Sequence, residues 1–81
     1  MNTTVKGLGD RKKQIIQFIN DFRQQNTYAP TVREIADGVN LSSVSTVQRH
    51  LTGLVEKGYI EMEQFKPRTI RLTDKALDMT T

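Results

Sequence analysis

The stretch TVREIADGVNLSSVSTVQRHL, Thr31 to Leu51, decides the fold. It opens on Thr31-Val32-Arg33-Glu34, a capping box. In such a box the threonine hydroxyl and the glutamate carboxylate each satisfy a backbone N–H that the first helical turn leaves unpaired. Ile35, Ala36 and Val39 then recur at helical spacing and predict a short helix with one inward side. Gly38, near its end, costs about 1 kcal/mol relative to alanine in a helix. Asn40 tolerates the left-handed conformation that a sharp turn needs. Leu41 is expected to be buried after the turn, and Ser42 or Ser43 to cap a further helix. In that helix Val44, Val47, Leu51, Leu54 and Val55 form the apolar stripe, and Gly58, with Lys57 before it, supplies the stop. A short helix and a longer one joined by a tight turn make a helix-turn-helix, whose second helix can enter the DNA major groove.

Upstream, the pattern is helical from Asp10 to about Asn26. Ile15, Ile16, Phe18, Ile19 and Phe22 share one side, and Arg11, Lys12, Gln14, Gln17 and Asn20 fall mostly on the other. Tyr28-Ala29-Pro30 reads as an extended connector, because a proline disfavours helix at the residue before it. Residues 1–9 are polar, hold two glycines and read as a mobile arm, with Leu8 folding back as a hydrophobic staple. Downstream, in YIEMEQFKPRTIRL, Ile60 and Met62 alternate with Glu61 and Glu63, and Ile70 and Leu72 alternate with Arg71. Two short strands joined by Phe65-Lys66-Pro67-Arg68 make a hairpin, with Pro67 stiffening its tip. Residues 73–81 form either one more short helix, with Ala76, Leu77 and Met79 on one side, or a frayed tail. The fold class is therefore mainly α with a small β-hairpin, a three-helix winged helix-turn-helix. Its body is 10–72, preceded by the arm and followed by the short tail.

Composition bounds the function. The chain has 81 residues, a net charge of +3 and no cysteine, with an isoelectric point near 9.5. A chain this short has a thin core, since it buries only about 60–65% of the surface its unfolded form exposes. The basic balance leans toward a polyanionic partner, although many ordinary domains share it. Without cysteine there is no disulfide, no thiol catalysis and little scope for structural zinc. No apolar run approaches the length of a membrane span, and the N-terminus has no signal-peptide block. A soluble cytoplasmic domain is expected. His50 is the only histidine and reads as a helix-surface or core-edge residue. A serine and a histidine on one helix lack the third orienting group and oxyanion site of a catalytic triad. Asp10, Asp21, Glu34 and Asp37 do not converge. The expectation is no enzyme, no metal and no cofactor.

The outward positions of the Ser43–Leu51 helix carry the functional argument. They are Ser45, Thr46, Gln48, Arg49 and Thr52, after the cap at Ser43, and Ser42 to Leu51 holds no carboxylate. Small hydroxyls let a helix approach DNA and bond to phosphate or base, glutamine can pair with adenine and arginine with guanine. A carboxylate there would repel phosphate. Gln64 to Arg71 contains Lys66, Arg68 and Arg71 and no acid, which suits a wing that touches a flanking phosphate or the minor groove. Arg11-Lys12-Lys13 reads as a solvated helix start, with phosphate contact as the alternative.

APTVREIADGVNLSSVSTVQRHLTGLVEKGYIEMEQFKPRTIRL resembles the N-terminal DNA-binding domain of the LexA repressor family, in its Gram-positive form. The pieces that carry the resemblance are the P-T-V-R-E-I run, S-S-V-S-T-V, H-L-T-G-L-V-E-K-G-Y-I and K-P-R, spread over about residues 8–72. The resemblance implies a winged-helix repressor of damage-response-type genes, bacterial or from a phage or other mobile element. It implies that two copies read an inverted-repeat operator in double-stranded DNA, with Ser43, Ser45, Thr46, Gln48 and Arg49 at base-contacting positions. Gln48 and Arg49 depart from the His and Gly usual in the Gram-positive pattern, so the hydroxyl contacts carry over better than the half-site. The self-cleaving peptidase domain of the family, which also dimerises it, has no counterpart here. The chain is thus expected to be an excised domain or a naturally short regulator, monomeric when free and paired only on DNA. The reading from a different class is a winged-helix protein-interaction module that uses the Ala76-Leu77-Met79 side of the tail.

Overall fold

A computed structural model describes residues 9–63 and 66–80. Its elements are α1 (Asp10–Gln25), α2 (Val32–Gly38), α3 (Val44–Glu56), β1 (Ile60–Glu61), β2 (Arg71–Leu72) and α4 (Asp74–Thr80). Leu8 and most of the expected arm lie outside the described residues, as do Gln64, Phe65 and the side chain of Met79.

Local chemistry sets the boundaries of the central helices. Before α2, the Glu34 N–H donates to Thr31 Oγ1 at 3.1 Å and the Thr31 N–H to Glu34 Oε1 at 2.9 Å, so the capping box is complete. The C-terminus of α2 closes with Asn40 at φ +60°, Leu41 N–H donating to Ala36 O at 2.9 Å and Asn40 N–H to Asp37 O at 3.4 Å. The end of α3 repeats this closure with Gly58 at φ +82°, Tyr59 N–H reaching Leu54 O and Gly58 N–H reaching Val55 O. Both are turns in which a left-handed residue lets its own amide and the next one return to the last carbonyls of the helix.

The core is built from Ile15, Ile16 and Ile19 of α1, Ile35 and Ala36 of α2, and Val47, Leu51 and Leu54 of α3. Val39, Tyr59, Ile60, Ile70 and Ala76 complete it. Leu41, expected to be buried after the turn, and Val55, of the predicted stripe, sit differently. Leu41 is only half-buried at the edge of the core, and Val55 is 41% exposed. At 100° per residue Val55 falls some 80° from Val47, on the flank of α3. Gly38 has a role beyond its helix cost: a Cβ built there would overlap the Phe18 ring, so the missing side chain is what lets α1 and α2 approach. Phe18, Phe22 and Tyr28 continue as a row of rings, each 5.8 Å from the next.

The hairpin is shorter than its alternation suggests. Only Ile60↔Leu72 and Glu61↔Arg71 pair, antiparallel, and Met62 and Ile70 lie beyond the strands. Pro67 and Arg68 make a turn in the connection, with Arg68 at φ +60°. A proline followed by a left-handed residue suits the second and third positions of a tight turn. The tail is a helix. Ala76 is fully buried, α4 packs on α1, and Thr73 pins its start, donating its hydroxyl to Gly58 O at 2.6 Å and its N–H to Tyr59 O at 3.0 Å.

Candidate nucleic-acid interface

Helix α3 has one side in the core and the opposite side in solvent. Ser43 is its N-cap, and its hydroxyl oxygen accepts the Thr46 N–H at 3.3 Å. The hydroxyl proton of Ser43 remains available to an outside acceptor. Ser45, Gln48, Arg49 and Thr52 are exposed and Thr46 is half-buried. With Val47, Leu51 and Leu54 inward, helical geometry puts Ser45, Arg49 and Thr52 opposite the core. Gln48 faces one flank, where it borders a shallow groove with Thr31, Val32, Lys66, Pro67 and Arg68. Thr46, His50 and Gly53 face the other flank, toward α1. Thr52 donates its hydroxyl to Gln48 O at 3.0 Å, so it can accept a hydrogen bond from a ligand but has no free proton to give.

The wing cations are arranged otherwise. Each has found a carboxylate outside the acid-free run: Lys66 lies 3.4 Å from Glu63, Arg71 2.7 Å from Glu61, and Arg68 3.1 Å from Glu34. The Arg68 pair is two-pronged, Nη1 on Oε1 and Nη2 on Oε2, with a further bond from Nη1 to Ala29 O at 3.0 Å. Its guanidinium also lies 4.5 Å from the centre of the Tyr28 ring. Arg68 therefore ties the wing to the capping box of α2 and the end of the aromatic row. The Glu34 carboxyl is held below its ordinary pKa, first by the Thr31 backbone N–H and then by the Arg68 side chain. Nothing local in the sequence announces this bond between residues 34 positions apart.

A second feature was invisible in the sequence. Lys12 of α1 donates to Nδ1 of His50 on α3 at 3.3 Å. A lysine ammonium cannot accept, so that ring nitrogen is unprotonated. Burial lowers the His50 pKa, helped by the charges of Lys12, Arg11 and Arg49. Arg11 itself is anchored by Nη1, which donates to Val39 O at 2.6 Å and to Gln14 Oε1 at 3.0 Å. Among the described residues Arg11, Lys12 and Arg49 form no ion pair. The same residues hold no cluster of metal-ligating side chains and no helix long and apolar enough to cross a membrane.

A trihelical core, a tightly turned helix pair and a two-stranded hairpin define a winged helix-turn-helix. The profile described as "LexA DNA binding domain" matches residues 5–69. The chain belongs to that family. Relatives named LexA repressor include those of Syntrophomonas wolfei, 49% identical over 86% of this chain and 34% of the relative, and of Carboxydothermus hydrogenoformans, 48% identical over 80% and 32%. That of Staphylococcus epidermidis is 42% identical over 91% and 36%. The chain thus spans about a third of the length of these relatives.

Proposed function

We propose that this chain is the operator-reading part of a LexA-like transcriptional repressor, acting in the cytoplasm of a bacterium or from a mobile element. In this reading residues 10–72 are the DNA-binding body and α3 lies in the major groove. Ser43, Ser45, Thr46 and Gln48 meet bases or adjacent phosphates, and Arg49 meets a guanine or a flanking phosphate. Thr52 serves only as an acceptor. Lys66 and Arg71 lie at the wing and exchange their exposed glutamate partners for phosphate on binding. Arg68 holds the wing in place. Two copies, monomeric when free, occupy an inverted repeat, and the domain performs no catalysis of its own.

The observation that carries the proposal is the outward side of α3. Ser45, Gln48, Arg49 and Thr52 are all exposed, the helix is capped by Ser43, and no carboxylate lies between Ser42 and Leu51. The protein-interaction reading loses one of its supports, since Ala76 is turned fully into the core. In vitro selection from random duplexes tests the proposal. Enrichment of a two-fold symmetric sequence is expected, and a pool still random after several rounds would sink it. Light scattering at micromolar concentration should report a monomer without DNA.

A further inference from the structure

We propose that Lys12 and His50 form a seat for a DNA backbone phosphate at the junction of α1 and α3, on the flank of α3 away from the wing. The proposal rests on the reading of α3 as the groove helix and adds a contact that this reading does not contain.

Three observations carry it. First, Lys12 lies across α3 where the helix has no side chain to stop it: a Cβ built on Gly53 would stand 3.0 Å from Lys12 Cε and 3.6 Å from Nζ. Second, the ammonium is held there by a neutral ring nitrogen, His50 Nδ1, rather than by a carboxylate, so its charge is directed but not cancelled. Third, the cations facing His50 are Arg11 and Lys12 from α1 and Arg49 from α3, and no carboxylate contributes to its pKa shift. When the Ser45–Arg49–Thr52 line of α3 faces the groove floor, the Thr46–His50–Gly53 flank faces one wall. The walls of the groove are phosphates.

A proton follows from the chemistry. In the free protein His50 is kept neutral by burial and by the cations around it. A phosphate that draws the Lys12 ammonium away from Nδ1 frees that nitrogen and offsets the positive field. The His50 pKa then rises, Nδ1 takes up the proton, and it donates to the phosphate in place of accepting from Lys12. Binding takes up a proton, so affinity rises as pH falls, by less than about tenfold per pH unit for a single site.

The experiment measures binding of the full chain to the selected duplex and to a random-sequence duplex, in a salt series and from pH 8 to pH 5.5. It uses the wild type, Lys12→Gln and His50→Gln, with circular dichroism confirming that each is folded. Lys12→Gln should lower the slope of log affinity against log salt by about 0.9 and weaken both duplexes by the same factor. His50→Gln should bind with an affinity almost independent of pH. An unchanged slope in Lys12→Gln, or an undiminished pH dependence in folded His50→Gln, overturns the phosphate seat while leaving α3 as the reading helix. If the wild type binds neither duplex, the reading of α3 falls and the seat with it.

Discussion

The wing and the α1–α3 junction are both basic, and they use their charge in opposite ways. At the wing every described cation is matched: Lys66 to Glu63, Arg68 to Glu34 and Arg71 to Glu61. At the junction Arg11, Lys12 and Arg49 stand together around a neutral histidine without an acid among them. A paired surface cation has already satisfied part of its demand for a counter-charge, and fully exposed pairs such as Lys66–Glu63 and Arg71–Glu61 contribute little to stability. An unpaired cluster keeps its full field for an incoming anion. A count of lysines and arginines along the chain therefore misses the difference between the two regions. The wing looks more basic than it is, and the start of α1 looks like an ordinary solvated helix.

The largest effect should come from the support the two regions share. Leu51 is 1% exposed and lies in the core between them. Leu51→Ala is expected to cost about 2–5 kcal/mol through lost burial and a residual cavity, a large share of the stability of so small a domain. Urea denaturation measures it, and a midpoint near that of the wild type would place Leu51 outside the core.

The comparison sharpens when Arg49→Ala and Arg68→Ala are measured side by side. Arg49→Ala should weaken DNA binding, by about 1–3 kcal/mol with relaxed preference at one base pair if it grips a guanine. Weakening of all duplexes alike would assign it to phosphate. Arg68→Ala should leave the salt slope near the wild-type value and lower the melting temperature, because its guanidinium is spent inside the molecule. A slope that falls by a full charge in Arg68→Ala would make the wing an unpaired basic surface after all and remove the contrast.

The smallest effect is the pH dependence of the strap itself. The Glu34 pKa is depressed below its ordinary value of 4.5. A carboxylate whose pKa is lower folded than unfolded stabilises the fold above the unfolded value, and that contribution disappears as pH falls through the folded one. The stability difference between the wild type and Glu34→Gln should therefore be constant above about pH 5 and shrink as pH drops below about 4.5. A difference independent of pH down to pH 3 would mean that neither the Thr31 N–H nor Arg68 gains from the charge of Glu34.

These outcomes bear on what the sequence makes legible. The helix-turn-helix was readable because its signals are local. The Thr31–Glu34 box, Asn40 at the turn and Ser43 at the cap each act within a few residues, and the period of Val47, Leu51 and Leu54 fixes which side faces inward. The left-handed Asn40 and Gly58 follow from the same local chemistry. The wing was readable as a hairpin but not in extent, because alternation continues through Met62 and Ile70 after the pairing has stopped. Val55 fits the helical period and is exposed all the same, since periodicity does not say where the neighbouring elements end. Gly38 was readable as a cost to α2, while its purpose, room for Phe18, belongs to a contact between two helices. The candidate site divides along the same line. The exposure of Ser45, Gln48, Arg49 and Thr52 on α3 was legible from spacing, whereas the Arg68–Glu34 and Lys12–His50 contacts join positions 34 and 38 residues apart and leave no local trace.

The bond from Arg68 back to Glu34 also has a consequence in time. The contacts that define α2, its turn and the start of α3 span only a few residues, and loops that short close early and at little entropic cost. The strap closes a loop of 34 residues, so it is expected to form after the helical pair it leans on. An interaction absent from the transition state acts on the rate of leaving the native state and not on the rate of reaching it. Arg68→Ala should therefore steepen nothing on the folding limb of a chevron plot and raise the unfolding limb. The wing then behaves as a latch fastened last, and the lifetime of the folded domain depends on it more than the speed of folding does.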